Sequence, residues 1–349
     1  MDLPLPLIIW DGSNMTDQDM SNRHGYVQEV AEEDDNFASA TDRAYSFRHS
    51  TVLAGVVWKN PVGTASGTFN LDACGRFYDV SQLGSVSTKG VSPVPWEGNP
   101  VPRSAESAAG TVNAVGLQNP GVDVYLNDEL PRLKHLGATV VTNVAGHSDE
   151  DYCQVVEKLA DSPVDMLEIN VSCPNVSSGG MAVGSDPHAL ERLMKKLRPL
   201  TDKPMIIKLT PNITDMTEVA RAAEANGADA LSMINTFVGM RINTQTGKPI
   251  IANITGGVSG PAIHPMALAF VYRVRQALPK IPIIGIGGIA TVDDALEFLY
   301  AGANAVEVGS AALIDPTAPL HIARQLDQEL DSRPELAELL EKGQTWPLE

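Results

Sequence analysis

One cysteine of the sequence lies in surroundings that suit proton transfer. Cys173 follows an apolar run, with Asn170, Ser172 and Asn175 close by and a proline directly after it. A lone cysteine is more often a buried packing residue, but amide and hydroxyl neighbours favour a reactive thiol. An unperturbed thiol has a pKa of about 8.5, which leaves a few per cent of thiolate near neutral pH. The segment therefore predicts that Cys173 is a general base that works without a dedicated histidine.

Two lysines stand at the ends of predicted strands. Lys208 lies in Ile-Ile-Lys-Leu-Thr-Pro-Asn, and Lys89 ends an earlier apolar run. A lysine in such a place is either a Schiff-base amine or a fixed positive charge, and the residues alone leave both readings open. Two cations beside a phosphate-binding turn would indicate an anionic cofactor together with an anionic substrate.

Two pairs of small residues predict a phosphate-binding turn. Gly287-Gly288 follows one apolar run, and Gly309-Ser310 ends the next. Bare backbone N–H groups and helix N-termini at such turns bind phosphate. The run 285–290 also fits the GxGxxA pattern of dinucleotide sites, with Glu307 as the acid that would bind a ribose. A mononucleotide phosphate site is favoured, because both adjacent runs end in small residues.

Amides and histidines complete the candidate chemistry. The segment Asn113–Asn119 carries several amide side chains, which both donate and accept hydrogen bonds and can hold a planar ring with C=O and N–H groups. His147 and His264 are isolated, and a surface or packing role is expected for each. No group of carboxylates has metal-ligand spacing, so no metal site is predicted.

The elements that position these residues repeat along the chain. Eight apolar runs predict strands over 60–66, 85–89, 139–146, 166–173, 205–211, 230–236, 282–289 and 305–311. Amphipathic stretches between them predict helices, among them 122–136, 150–161, 187–200, 216–226, 265–278, 292–300 and 319–330. This alternation predicts a (β/α)8 TIM barrel in the α/β class, with an open doubly wound sheet as the alternative. The segments 90–121 and 237–260 are too long for plain loops and are predicted to cover the catalytic face.

Composition excludes several classes of protein. The net charge of −18 argues against nucleic acid as a partner. The three cysteines contain no CxxC pair, which excludes a disulfide framework, a zinc ribbon and a Cys-ligated iron–sulfur cluster within this chain. Cys153 is expected to pack in the core. No run of eighteen apolar residues spans a membrane and a signal peptide is not expected, so a cytoplasmic location is predicted.

The first fifty residues differ from the rest. They hold ten acids and three arginines and show no sustained apolar periodicity. We therefore expect residues 1–50 to form an acidic extension that is disordered or loosely docked, ahead of a barrel over 51–349. A docking or regulatory role is the functional alternative.

In its motifs the chain resembles the class 1 dihydroorotate dehydrogenases, most closely the catalytic subunit of subclass 1B. The resemblance covers roughly residues 51–330. It rests on 60–69, 113–121, 143–146, 170–176, 208–212, 234–236, 255–262, 284–289 and 301–309.

The resemblance implies an FMN-dependent barrel that oxidises dihydroorotate to orotate in pyrimidine biosynthesis. Cys173 would remove the C5 proton while C6 gives a hydride to the flavin, and Lys208 would place positive charge near the flavin N1 edge. The implied substrate-binding residues are Lys89, Asn113, Ala114, Val115, Gly116, Leu117, Asn170, Asn235 and Thr236. The implied FMN-binding residues are Ser66, Lys89, Gly90, Asn143, Asn170, Lys208, Ile234, Gly260, Gly287, Gly288, Gly309 and Ser310.

The electron acceptor depends on the subclass. Subclass 1B implies a homodimer within a heterotetramer, whose partner subunit carries FAD and a 2Fe–2S cluster and passes electrons to NAD+. A class 1A-like homodimer that uses fumarate stays open, as does a Schiff-base lyase of the aldolase type that uses Lys208. The chain departs from the family pattern in its acidic extension, in residues 70–75, and in Gly90-Val91-Ser92, where a Thr-rich segment is usual.

Overall fold

The computed structural model describes residues 45–172 and 183–348. Eight parallel strands close into a barrel, which confirms the predicted fold and excludes the open sheet. These strands are β3 (Val62–Thr64), β4 (Ser85–Ser87), β7 (Val140–Val144), β8 (Met166–Asn170), β9 (Met205–Leu209), β10 (Ala230–Met233), β13 (Ile283–Ile286) and β14 (Ala305–Val308). Around the barrel the order is β10-β13-β14-β3-β4-β7-β8-β9. Each lies inside a predicted strand.

Within the described ranges, six further strands lie outside the barrel. β1 (Thr51–Leu53) and β2 (Val56–Trp58) form a hairpin at its N-terminal end. The two long segments form one antiparallel sheet, whose strands are β5 (Ser104–Ser107), β6 (Gly110–Asn113), β11 (Phe237–Met240) and β12 (Thr255–Ser259). Their order across the sheet is β11-β12-β6-β5. Since both segments follow C-terminal ends of barrel strands, the sheet forms a wall at that end, as predicted.

The helices agree with the sequence pattern except where proline intervenes. They are α1 (Leu71–Cys74), α2 (Val122–Asn127), α3 (Glu129–His135), α4 (Asp149–Ala160), α5 (Pro187–Leu197), α6 (Met216–Ala225), α7 (His264–Ala277), α8 (Val292–Tyr300), α9 (Ser310–Ile314), α10 (Ala318–Asp331) and α11 (Pro334–Glu341). The single helix predicted over 122–136 is two, because Pro131 has no N–H for the carbonyl of Asn127 and its ring would clash there. α5 likewise ends before Pro199.

Strand alternation divides the core into two parts. Residues one apart along a strand face opposite sides of the sheet, so Met205, Ile207 and Leu209 pack against helices while Ile206 faces the barrel interior. Leu53 and Trp58 of the β1–β2 hairpin belong to the interior cluster and close its N-terminal end. This apolar cluster lies towards the N-terminal end of the barrel interior, and polar residues fill the C-terminal end.

Residues 45–50 pack onto the last helices of the barrel. The buried carboxylate of Asp327 accepts hydrogen bonds from the Tyr45 hydroxyl at 3.0 Å and from the backbone N–H groups of Arg48 and His49 at 2.9 and 3.0 Å. The acidic extension predicted for residues 1–50 lies outside the described residues up to residue 44, so its character stays a prediction. Across 45–172 and 183–348, no helix combines the length and apolar character needed to cross a membrane.

Candidate active site

A layer of polar side chains fills the C-terminal end of the barrel interior. Residues two apart in a strand face the same side, so Lys208 follows Ile206 into the interior and Glu168 follows Met166. Both polar side chains are almost fully buried, with exposures of 5% for Lys208 and 0% for Glu168. Polar residues at this end of a barrel are those placed to act in catalysis.

Lys208 is held as a fixed charge. Its Nζ lies 3.2 Å from Glu168 Oε1 and donates a hydrogen bond to Ser66 Oγ at 3.1 Å. The Nζ group is thus engaged by two oxygen acceptors, whereas Schiff-base chemistry needs a free amine. The ion pair therefore favours the fixed-charge reading of Lys208.

Glu168 also organises the neighbouring strands. Asn143 Nδ2 donates to Glu168 Oε1 at 2.5 Å, and Ser232 Oγ donates to Oε2 at 2.7 Å. The other side-chain atom of Asn143, Oδ1, is buried and has no partner in the part of the chain that the structure describes. A Cβ on Gly90 would lie 2.9 Å from that oxygen and 3.4 Å from Leu117 Cδ2. Glycine therefore leaves room there, and Asn143 Oδ1 is free to accept a hydrogen bond from a ligand.

Glu307 is a second buried acid in the same layer. Ser87 Oγ donates to its Oε1 at 2.6 Å, while Oε2 is buried with no partner among the described residues. Burial and the nearby carboxylate of Glu168 raise the pKa of Glu307 to about 8, and Lys208 and Ser87 offset this only in part. Glu307 is therefore the acid of this layer that keeps its proton at neutral pH.

This protonated acid predicts a pH-dependent stability. The raised pKa means that the folded chain keeps a proton that the unfolded chain releases, so wild-type stability falls as pH rises from about 5 to about 8. Glu307→Gln removes this effect. Over that interval, the difference in the free energy of unfolding between Glu307→Gln and wild type should increase by about 1.4 kcal/mol for each pH unit, in favour of the variant. Urea denaturation measures this difference. Glu335→Gln, at an exposed position, is the control. A Glu307→Gln curve that stays parallel to wild type would show that Glu307 is ionised.

Lys89 is a cation that has no counter-charge in the described part of the chain. It is half-buried, and its Nζ makes no hydrogen bond or ion pair with any described residue. Burial, and to a smaller degree the charge of Arg103, lower the pKa of its ammonium group. A Cβ on Gly67 would lie 3.4 Å from this Nζ, so the glycine leaves the cation uncovered on that side. A bound anion would supply the missing charge.

The predicted amide residues converge beside this region. Asn235 Nδ2 donates to Asn170 Oδ1 at 3.3 Å, and the backbone N–H of Thr236 donates to Asn235 Oδ1 at 2.8 Å. A Cβ on Gly257 would lie only 2.1 Å from Thr236 Oγ1, so Gly257 packs directly against Thr236. Gly257 of β12 also pairs with Asn113 of β6. The wall sheet thus brings residue 113 to the vicinity of residue 236, which hydrogen bonds connect to residues 235 and 170.

The loop after β6 is fixed from within. Asn99 donates from its backbone N–H to the Val115 carbonyl and from Nδ2 to the Ala114 carbonyl, both at 3.0 Å. Gly116 and Leu117 have positive φ angles of 77° and 55°. A Cβ on Gly116 would lie 2.5 Å from Asn99 N, so only glycine fits this turn. Three of the five predicted loop residues, Ala114, Val115 and Leu117, therefore have carbonyls that already accept hydrogen bonds within segment 90–121.

The glycine turns form a cradle at the ends of β13 and β14. Gly287 and Gly288 have φ angles of 144° and 69°, and a Cβ on Gly288 would lie 2.7 Å from the carbonyl oxygen of Gly260. Ile234 lies beside Gly287, 3.7 Å from its Cβ position. Within the described ranges the backbone N–H groups of Gly288 and Gly309 have no acceptor. Free amides in a tight turn fit a phosphate group.

Two details refine the phosphate prediction. The dinucleotide alternative fails, because Glu307 lies inside the barrel and binds Ser87 rather than facing a ribose site. The segment before α8 offers fewer free N–H groups than expected, because Asp294 accepts from the N–H groups of Ala290 and Thr291 in a capping box. The glycine amides remain for the cradle, together with Gly309 and Ser310, where α9 begins.

Cys173 lies outside the described residues, and its role stays a prediction. Among its neighbours, Ser172 Oγ is buried without a partner in the described ranges. His147 stacks on Trp96 with ring centroids 3.8 Å apart, in agreement with the surface or packing role expected for it. Cys153 is only partly buried, although it packs against the core. No group of three or more His, Cys, Asp or Glu among residues 45–172 and 183–348 could hold a metal.

Reasoning from the sequence missed three polar residues of the site. Glu168 and Glu307 were given no role in this layer, although each is a lone acid in a short apolar strand, which is a readable signal. Asn212 was also missed. Its Nδ2 donates to the Thr236 carbonyl at 2.9 Å, and its Oδ1 accepts from the N–H of Val238 at the same distance. Asn212 therefore ties the end of β9 to the wall sheet.

Comparison with known proteins points to one family. The family model described as dihydroorotate dehydrogenase matches residues 49–330. The relative from Alkaliphilus metalliredigens is 51% identical over 271 residues, which cover 77% of this chain and 89% of that protein. The relative from Lachnoclostridium phytofermentans is 50% identical over 280 residues, covering 80% and 93%. A relative from Listeria monocytogenes is 46% identical over 287 residues, covering 82% and 94%. All three are named dihydroorotate dehydrogenase B (NAD(+)), catalytic subunit.

Proposed function

The chain belongs to the dihydroorotate dehydrogenase family, and we propose that it oxidises dihydroorotate to orotate in pyrimidine biosynthesis, with FMN as its cofactor. Membership makes it an oxidoreductase, so the Schiff-base lyase alternative is wrong. The observation that carries the choice of substrate is Lys89, a half-buried ammonium with no partner among the described residues. Dihydroorotate carries a carboxylate, which is the anion this cation lacks.

The ring of the substrate would be held by the amide cluster. Dihydroorotate is a cyclic imide with alternating C=O and N–H groups, and it needs both donors and acceptors around its edge. Asn113, Asn170, Asn235 and Thr236 supply both. Asn170, Asn235 and Thr236 are already joined by hydrogen bonds, and Asn113 lies opposite Gly257. Since Lys89 binds the carboxylate at one end, the amides would fix which face of the ring is presented.

The residues of the polar layer fit FMN. Gly288 and Gly309 offer free amides to its phosphate, Asn143 Oδ1 offers a buried acceptor, and Lys208 offers a fixed positive charge. When bound, FMN supplies the two-electron oxidant. Lys208, already oriented by Glu168 and Ser66, would stabilise the negative charge that develops during oxidation of the substrate without needing to reorganise.

Cys173 would act as the base. Oxidation of dihydroorotate removes a proton from C5 along with the electrons leaving C6, so an acceptor for that proton must stand beside the ring. Cys173 follows the end of β8 by three residues, and Asn170 at the end of that strand belongs to the amide cluster. Chain connectivity therefore supports a thiol near the substrate.

The electrons would leave through a partner subunit. The relatives are named dihydroorotate dehydrogenase B (NAD(+)), catalytic subunit, which supports the existence of a further subunit. In our proposal that subunit carries FAD and a 2Fe–2S cluster, within a heterotetramer built on a homodimer. The chain itself has no Cys-rich cluster motif. A fumarate-using homodimer is the alternative.

Offering the two acceptors separately tests this proposal. The chain is purified alone and mixed, in the absence of oxygen, with dihydroorotate and either fumarate or NAD+, and orotate formation is followed over many turnovers. We expect sustained turnover with neither, because the route to NAD+ runs through the partner. Sustained turnover with fumarate would overturn the proposed electron-transfer subunit and support the fumarate-using homodimer. Reduction of NAD+ by the chain alone would also contradict the need for a partner.

A further inference from the structure

His264, the first residue of α7, lies directly beneath the glycine cradle. Its Nδ1 is 3.1 Å from the carbonyl oxygen of Gly287, and its Nε2 is 2.9 Å from Glu297 Oε2. Asp294 Oδ1 lies 3.8 Å from the same Nε2. The imidazole edge packs against the ring of Phe298, with centroids 5.2 Å apart, and the side chain is 12% exposed. His264 thus joins the cradle to two acids of α8.

Both ring nitrogens of His264 face hydrogen-bond acceptors. A carbonyl oxygen and a carboxylate oxygen both accept, and the imidazolium form of histidine is the one that can donate to both. In that form His264 places a positive charge between the cradle and the carboxylates of Asp294 and Glu297. Without it, these two acids would repel an anion bound at the glycine turn.

The bond to Gly287 also orients the turn. In a planar trans peptide the C=O and the following N–H point in opposite directions. Because His264 draws the Gly287 carbonyl towards α7, the N–H of Gly288 points away from the helix. The turn has little room to relax, since a Cβ on Gly288 would lie 2.9 Å from His264 Cβ. The free amide is thereby aimed before any ligand arrives.

We propose that His264 is a positioning residue of the flavin site: it aims the Gly288 amide at the cofactor phosphate and screens that phosphate from Asp294 and Glu297. The inference rests on the proposed FMN cofactor. Because both effects act on the phosphate alone, His264 makes the site prefer FMN over riboflavin, which has the same ring system and no phosphate.

Flavin affinities of the apoprotein test this role. The wild-type apoprotein, His264→Gln and His264→Lys are titrated with FMN and with riboflavin, and quenching of flavin fluorescence gives each Kd. For His264→Gln we expect the Kd for FMN to rise at least tenfold and the Kd for riboflavin to change by less than about twofold. His264→Lys, which keeps the charge, should recover part of the preference for FMN. His135→Gln, at an exposed position on α3, is the control.

The outcomes separate this inference from the function beneath it. An unchanged Kd for FMN in His264→Gln would overturn the positioning role, as would an equal loss of both flavins, which indicates general damage to the fold. If His264→Gln does not fold, a His264→Lys protein that has lost the preference for FMN would contradict the proposed charge. A wild-type apoprotein that binds neither flavin would overturn the proposed cofactor instead.

Discussion

Lys208→Met should slow the reduction of bound flavin by dihydroorotate by about 10²–10³-fold, the loss expected when one preorganised electrostatic group is removed. The same change leaves Glu168 buried without its cation, which costs about 3–5 kcal/mol of folding free energy. Flavin reduction is followed in a stopped-flow spectrometer without oxygen, and stability by urea denaturation.

A double variant separates these two effects. Lys208→Met combined with Glu168→Gln removes both charges, so the stability should largely return, because the new glutamine side chain can still bond to Asn143 and Ser232. The rate should not return, because the positive charge is still missing. A double variant that reduces flavin at the wild-type rate would refute a catalytic role for Lys208. Lys195→Met, which breaks an exposed pair with Glu191, serves as the control, with a cost below about 1 kcal/mol.

Cys173→Ala should lower the rate of flavin reduction by about 10²–10⁴-fold, the usual contribution of a general base, while the protein keeps its FMN. In wild type this rate should rise with pH towards about 8.5, as the thiol ionises. In Cys173→Ala that rise should disappear. The rate of flavin reduction is measured for wild type and for Cys173→Ala with saturating dihydroorotate over a series of buffers of different pH.

A variant of another cysteine, Cys153, is the control for Cys173→Ala. Cys153→Ala alters a partly buried thiol on α4 that packs against the core, and it should leave the rate and its pH dependence unchanged. If Cys173→Ala reduced its flavin as fast as Cys153→Ala, the base would have to be sought elsewhere among the groups at the mouth of the barrel.

The barrel could be predicted from the sequence because the patterns that indicate its strands and helices are local. Each strand is a short apolar run, such as Met205–Leu209, and each helix repeats apolar residues at intervals of three and four. The break between α2 and α3 was not predicted, although Pro131 is a local signal for it. The wall sheet could not be predicted from local patterns, because it pairs Gly110–Asn113 with Thr255–Ser259, and the pairing of such distant segments depends on tertiary packing.

The site was predicted as a set of residues but not as a network. Lys208 and Asn143 stand at strand ends, and that position alone marks them. Their common partner Glu168 depends on the register of β7, β8 and β9, which brings side chains from three strands to one carboxylate. The same holds for Glu307, whose proton depends on the burial and the second acid that closure of the barrel creates.

A single turnover measures dihydroorotate oxidation by this chain most directly. The protein is purified with its bound flavin, freed of oxygen and mixed with an excess of dihydroorotate and no acceptor. Orotate is then quantified by chromatography alongside the loss of oxidised-flavin absorbance. We predict one orotate for each flavin, with no further product. Flavin that stays oxidised, with no orotate formed, would contradict the proposed reaction.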